Sequence, residues 1–313
     1  MRNKRYGALA FFLVLVLMLT ITGCSRGPQA RPDQKKENKA KVAVSSANTL
    51  TDNYKVFKKT MEEKSKDNNL EIMWLDAQNN ALKQEEDIQK ALKEKVKVIV
   101  IEPVDAEMIG STVKTAQKKG VKIICTGSLP PDTAVDAFIA PDFLRAGEMQ
   151  GQQVLKNIGE KEAANLLILR GTKGNPAAED ILKGNLSVLN GNKKIGQIWI
   201  EEIENWNSST AFERVKKYLA GESAPGAVLA HSPEITAGML KALEQDKLEG
   251  KVRSFGMGTQ KQAIEAIDKG THTAEVDFMP ELLAQIVAQA AASLSRDEPW
   301  EYEQQLANGS ENV

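Results

Sequence analysis

The chain of 313 residues carries 41 basic and 42 acidic side chains, a formal net charge of -1, and is 42% apolar and 27% charged. The length is enough for two domains, the composition is ordinary for a soluble globular protein, and the charge balance excludes a general electrostatic pull toward nucleic acid. Two cysteines cannot build a disulfide framework, and the two histidines, His231 and His272, stand too far apart for a ligand-spaced cluster, so neither a metal nor a cofactor is expected.

Arg2, Lys4 and Arg5 form a positive start, followed by an apolar core, Leu9 to Ile21, that is too short for a comfortable transmembrane helix. Ile21-Thr22-Gly23-Cys24 then resembles a bacterial lipoprotein signal, in which the cysteine is diacylated and becomes the mature N-terminus; a plain signal peptide or short membrane anchor is the alternative. The resemblance implies a protein lipid-anchored to the cell membrane on its extracytoplasmic side. Residues 24–39, with Pro28 and Pro32 and almost nothing apolar, have too little to bury and read as a flexible tether.

From there the pattern alternates strand and helix. Val42-Ala43-Val44 opens the fold, and Tyr54, Phe57, Met61 and Ser65 step along one helical face. Leu70 to Leu75 is a strand with a polar exit, Asp76 to Asn80, and Ala81 to Lys95 is a helix. Val96 to Ile101 is a continuous β-branched run that predicts a parallel strand buried on both faces, ended by Glu102-Pro103-Val104-Asp105. A helix over Ala106 to Lys119 leads to the strand Val121 to Cys125, which completes a βαβ unit and makes Cys125 a buried thiol. Pro130-Pro131 forces a turn, and Val135 to Ala140 is a fifth short strand ending at Pro141-Asp142.

The same series then repeats. Helices are predicted over Phe143 to Ile158, Ala177 to Leu189, Thr210 to Leu219, Pro233 to Gln245, Gln260 to Lys269 and Met279 to Leu294. Strands are predicted over Leu166 to Leu169, Ile195 to Ile200, Ala227 to Ala230, Val252 to Gly256 and Thr273 to Val276. The fold class expected is α/β, with two similar doubly wound parallel-sheet lobes and a ligand cleft between them, because ligands collect at the carboxyl ends of parallel strands.

The stretches Asp76 to Asn80, Glu102 to Asp105, Ile139 to Asp142 with Gly147 and Gly151, Asn205-Trp206-Asn207, and Ala237 to Leu243 stand in the order and at the separations of a known family. The mature chain resembles the type I periplasmic binding proteins, most closely their ribose-, galactose- and xylose-binding branch. That resemblance implies three crossover strands, near Pro141, near Phe278-Met279 and near Glu303-Gln304. One lobe would comprise residues 40–140 plus 279–303, and the other 141–278 plus 304–313. It also implies a monomer that binds a small solute and hands it to an ABC permease; presentation of the ligand to a membrane sensor kinase is the alternative output, which neighbouring genes would decide.

Ligand-binding candidates follow from the same resemblance. Trp206 and Tyr54 stand where relatives stack a ligand on an aromatic face, although Tyr54 also starts a helical stripe, and Phe278 is either a third wall or hinge packing. Asn53, Asn175 and Ser232, with Asn48 and His231 beside them, supply polar groups, as do the carboxylates Glu102, Asp142 and Glu179; Glu102 and Glu179 could equally point into solvent. Trp74, Trp199 and Trp300 suit core packing. Relatives grip sugar hydroxyls with an Asp-Arg pair, an arginine, an Asn-Asp pair and an aspartate, where this chain has Gly127-Ser128, Glu179, Ser232-Pro233 and Gly258. Carboxylates with aromatics and no arginine suit a cationic or hydrogen-bond-donating ligand. The ligand classes expected are a modified sugar, polyol or nucleoside, then an amine-bearing or signalling solute.

No dinucleotide fingerprint, nucleophile elbow or metal-ligand spacing points to an enzyme. Gly171-Thr172-Lys173-Gly174-Asn175 only faintly resembles a phosphate loop, and a plain turn fits better. A transcription regulator would place a helix-turn-helix where this chain has a signal and a tether.

Overall fold

The computed structural model describes residues 39–159, 163–221 and 224–300. The signal sequence, the tether up to residue 38 and the third expected crossover lie outside the described residues.

Among the described residues each half is one five-stranded parallel sheet. Strands β1 (Ala40–Ser46), β2 (Leu70–Asp76), β3 (Val98–Ile101), β4 (Lys122–Cys125) and β5 (Ala137–Phe138) lie in the order β2-β1-β3-β4-β5. The second sheet contains β6 (Ala164–Arg170), β7 (Ile195–Glu202), β8 (Ala227–Ala230), β9 (Arg253–Met257) and β10 (Ala274–Val276), ordered β10-β9-β8-β6-β7. Read from β7, the second sheet repeats the first strand for strand. In both, the first strand sits inside the sheet, so successive crossovers leave it in opposite directions and open a crevice at its carboxyl end.

Sequence alternation explains why both sheet faces are dry. Val42, Val44, Val98, Val100 and Ile124 enter one core, while Ala43, Ile99, Ile101, Ile123 and Cys125 enter the core on the other face. The same division recurs in the second sheet, with Leu167 and Leu169 on one side and Leu166 and Ile168 on the other. Helices cover these faces: α1 (Asp52–Asp67), α2 (Ala81–Lys93), α3 (Ala106–Lys118), α4 (Phe143–Asn157), α5 (Pro176–Leu189), α6 (Ser208–Leu219), α7 (Pro233–Gln245), α8 (Lys261–Asp268) and α9 (Pro280–Ser295). The alanine-rich α9 packs back on α1 and the first sheet through Ala284, Val287, Ala288 and Ala291, because small side chains let a helix approach a sheet closely.

Element ends depart from the sequence expectation for identifiable reasons. Met279 is not helical but left-handed, at φ 48°, since the residue before Pro280 is excluded from right-handed helix. Helix α6 begins at Ser208, two residues early, because Asn207 caps it through a bond from the Thr210 N–H to Oδ1 (2.9 Å). Only Ala137–Phe138 is regular strand where Val135 to Ala140 was expected, and Pro141 follows closely. Pairing nonetheless runs on through the Ile139 N–H to the Cys125 carbonyl (3.0 Å).

Candidate functional site: a cleft between the two sheets

Strand exits from both sheets converge on one cavity of about 430 Å³. From the first half come Ala47, Asn53, Tyr54, Glu102 and Ser128; from the second come Asn175, Trp206, His231, Ser232 and Glu234. Pro141, Phe143 and Phe278 line it at the crossovers. The halves also come close where the Asp52 carboxylate of α1, held down in pKa first by Lys55, is lowered further by the Lys261 backbone of the second half.

Trp206 is held by an unusual backbone. It and Asn205 both adopt left-handed φ, 55° and 54°, which a bulky residue reaches only when its surroundings over-determine it. The Asn205 N–H donates to Thr172 Oγ1 (2.9 Å), the Trp206 N–H to the Ile203 carbonyl (3.0 Å), and Asn207 begins α6. The indole then lies over Gly171, whose missing β-carbon leaves it room. Tyr54, in the first turn of α1, lines the cavity and also meets Trp74 edge-on at 6.1 Å, so it serves the wall and the packing stripe together. Phe278 meets Phe143 edge-on at 5.7 Å, and both face the cavity. Trp74, Trp199 and Trp300 pack against hydrophobic cores and do not line the cavity.

Helix capping decides what several polar residues have left to offer. Asn175 Oδ1 accepts the Ala178 N–H (3.2 Å) and Ser232 Oγ accepts the Ile235 N–H (3.2 Å), leaving the Asn175 amide and the Ser232 hydroxyl as donors. Glu102 has one oxygen, Oε2, accepting the Ala47 N–H at 3.2 Å. Its loop is pinned by the buried Gln84, which donates to the Glu102 carbonyl (2.8 Å) and accepts from the Val104 N–H (2.9 Å). The Glu102 side chain reaches solvent through the cleft but is walled by protein, and this crowding raises its pKa, with the Glu234 charge adding to the rise. Tyr54 is pushed up to about 12 by burial, then by the charges of Asp76, Glu62 and Glu102.

Two expected site residues fall elsewhere. Glu179 does not line the cleft: it pairs with Arg170 and accepts the Gly174 N–H at 3.0 Å, and those bonds hold its pKa down. Asp142 caps α4 by accepting the Arg145 N–H at 2.9 Å and does not itself line the cavity, although its chain neighbours Pro141 and Phe143 do. Its other oxygen, Oδ2, is buried with no hydrogen-bond partner among the described residues. Sequence reasoning missed Phe57, Phe143, Thr126 and Glu234 as lining residues. Glu234 had a local signal, the Ser232-Pro233 helix start at a strand exit, which places the next side chain in the first turn of α7.

The remaining chemical motifs are occupied. In the glycine loop after β6, the Lys173 N–H is bonded to Glu202 (2.7 Å) and the Gly174 N–H to Glu179, so carboxylates hold the donors a phosphate would need. Ser254 Oγ lies 2.7 Å from His272 Nδ1, and His272 Nε2 lies 2.9 Å from Glu275 Oε1, a Ser-His-Glu series whose ring nitrogens are exchanged relative to the hydrolase triad. Ser254 is fully buried and outside the cleft, so these three groups satisfy one another inside the second half. Among the described residues no group of three His, Cys, Asp or Glu could hold a metal, and no helix is long and apolar enough to cross a membrane.

Comparison with known proteins decides the family. A family profile described as "Periplasmic binding protein domain" matches residues 42–299. The chain belongs to this periplasmic binding protein family. This periplasmic binding protein is 25% identical to the ribose import binding protein of Bacillus subtilis over 287 residues, 91% of this chain and 92% of the relative. It is 26% identical to the D-xylose-binding periplasmic protein of Haemophilus influenzae over 230 residues, 72% of this chain and 68% of the relative. Among solved structures, the carbohydrate transporter solute binding protein of Agrobacterium radiobacter, in complex with D-arabinose, matches with a TM-score of 0.77 at 19% identity, covering 85% of this chain and 91% of that one. These relatives are solute-binding proteins, not enzymes.

Proposed function

We propose that this periplasmic binding protein is an extracytoplasmic lipoprotein that closes its two lobes on a small sugar-like solute and delivers it to an ABC importer. The observation that carries the reading is the Trp206 indole, fixed over Gly171 on the wall of a cleft built from both sheets. A rigid flat aromatic stacks on the apolar face of a sugar or polyol ring while neighbouring amides and hydroxyls satisfy its hydroxyl groups. Trp206, Tyr54 and Phe278 are the stacking walls in this reading, Asn53, Asn175 and Ser232 the hydrogen-bonding groups, and Glu102 the charged acceptor. Asp142 shapes the crossover before Phe143, and Glu179 has no direct contact with the solute. The names of the relatives, ribose import and D-xylose binding, support a sugar-like solute.

Closure requires a ligand that touches both lobes, since only differential binding shifts an open–closed equilibrium. The reading is tested by a thermal-shift screen over sugars, polyols, nucleosides and amines, in which a solute bound only by the native state raises the melting temperature. Silence across all four classes would refute it. Lipid anchoring through Cys24 is tested separately: Cys24→Ser should move the protein from the membrane to the soluble fraction, and persistence in the membrane would count against the anchor. Copurification with a permease would support the importer partnership, whereas capture of a sensor kinase would replace it.

A further inference from the structure

We propose that the solute of this cleft carries a protonated amine, seated between Glu102 of the first lobe and Glu234 of the second. The inference rests on the reading of the cleft as a sugar-like solute site and narrows its chemistry.

The first observation is a charge inventory. The described residues lining the cavity include Glu102 and Glu234 and contain no lysine or arginine. Cations nearby are committed elsewhere: Arg170 to Glu179, Lys58 to Glu62, and Lys261 to Glu265 at 3.7 Å. The two carboxylates come from different sheets, Glu102 from the exit of β3 and Glu234 from the first turn of α7, so closing the lobes brings like charges together. An uncharged polyol leaves that repulsion in place. An ammonium between them converts it to attraction in a partly desolvated site, where charge pairs count for more than in water. Tyr54, Trp206 and Phe278 on the walls add ring faces that favour a cation.

The second observation is a proton-direction chain ending at the same cavity. Gln150 Nε2 donates to the Ala230 carbonyl (3.0 Å), which makes Gln150 Oε1 an acceptor for Asn185 Nδ2 (3.1 Å). Asn185 Nδ2 also donates to the Gly147 carbonyl (2.8 Å), so Asn185 Oδ1 must accept, and it lies 2.8 Å from His231 Nε2. His231 Nε2 therefore carries the proton, and Nδ1 is a bare lone pair. His231 is 1% exposed and lines the cleft, and Nδ1 is buried without a hydrogen-bond partner among the described residues. A buried acceptor left open calls for a donor from the ligand. Two carboxylates and an imidazole lone pair, with no cationic side chain among the lining, together select a solute rich in N–H and O–H donors and carrying positive charge: an amino sugar or amino polyol.

The test is calorimetry on the full chain at neutral pH with matched pairs: glucosamine and glucose, galactosamine and galactose, glucamine and sorbitol. The expected result is that the amine of at least one pair binds about tenfold or more tightly than its neutral partner. Glu102→Gln and Glu234→Gln should each bring the amine-to-neutral affinity ratio of that pair down to about one. Neutral members binding as well as their amines in every pair would overturn the inference and leave the sugar-binding reading standing. An amine preference that survives both glutamine variants would overturn the assignment to this carboxylate pair. No binding by any member would overturn the inference, and the sugar-like reading would fall with it only if the broader thermal-shift screen were silent too.

Discussion

A β-carbon placed on Gly171 would lie 2.2 Å from Cη2 of the Trp206 indole, and 2.4 Å from Cζ2 and Cζ3. The far end of the ring thus rests against backbone, at a separation that only glycine permits. Gly171→Ala should push the indole off its seat and weaken ligand binding by about tenfold or more, as Trp206→Ala should. Because both variants remove the same wall, the double variant should bind no worse than the weaker single one. Calorimetry with whichever solute the thermal-shift screen identifies checks this, and additive losses would dissociate the two residues.

Glu179 supplies a control beside Glu102. Its carboxylate is tied to Arg170 off the cleft and its side chain is 47% exposed, so the ion pair contributes at most about 1 kcal/mol to stability. Glu179→Gln should leave ligand affinity within about twofold of wild type. A larger loss in the same calorimetric titration would place Glu179 in the binding machinery after all.

Acid should destabilise the fold through His231. Burial, and then the charge of Arg170, lowers its pKa from 6.5 to about 3. Above pH 6.5 neither the folded nor the unfolded imidazole binds a proton, so its contribution is complete. Below that, the unfolded chain takes up a proton that the native state refuses, and stability falls as pH drops toward about 3. One such group contributes a slope of about 1.4 kcal/mol per pH unit. Urea unfolding at successive pH values, compared with His231→Gln, isolates the effect from the carboxylates, and identical slopes would exclude it.

The crossing of α4 and α5 depends on paired glycines. A β-carbon on Gly147 would sit 2.1 Å from the Ile181 carbonyl oxygen, and one on Gly184 2.1 Å from that of Leu144. Backbone cannot yield as a flexible side chain does, so Gly147→Ala should cost about 1–3 kcal/mol by forcing the helices apart. Thermal unfolding should show a clear drop in melting temperature. An unchanged midpoint would mean that the helices separate freely.

Much of this architecture was legible because parallel strands announce themselves locally. Val98 to Ile101 is apolar at every position, and a strand buried on both faces has no other composition available to it in water. Helix starts were legible where a capping side chain marks them, and misplaced where a polar exit such as Asn207 turned out to be the cap itself. Gly171 and Trp206 were visible as a strand exit and an aromatic, but 35 positions separate them and nothing local states that one is the seat of the other.

The sequence by itself determined the alternation of elements, the two matching halves and the set of exit loops, since each follows from short-range periodicity and from burial of apolar runs. Only tertiary structure decided which carboxylates line the cleft. Glu102 stands in the exit loop of one strand and Glu179 in the first turn of the helix after another, yet Gln84 pins the loop of the first at the cleft while Arg170 holds the second away. A side chain's partner depends on where distant backbone directs it, and a carboxylate in sequence carries no record of which cation will stand beside it.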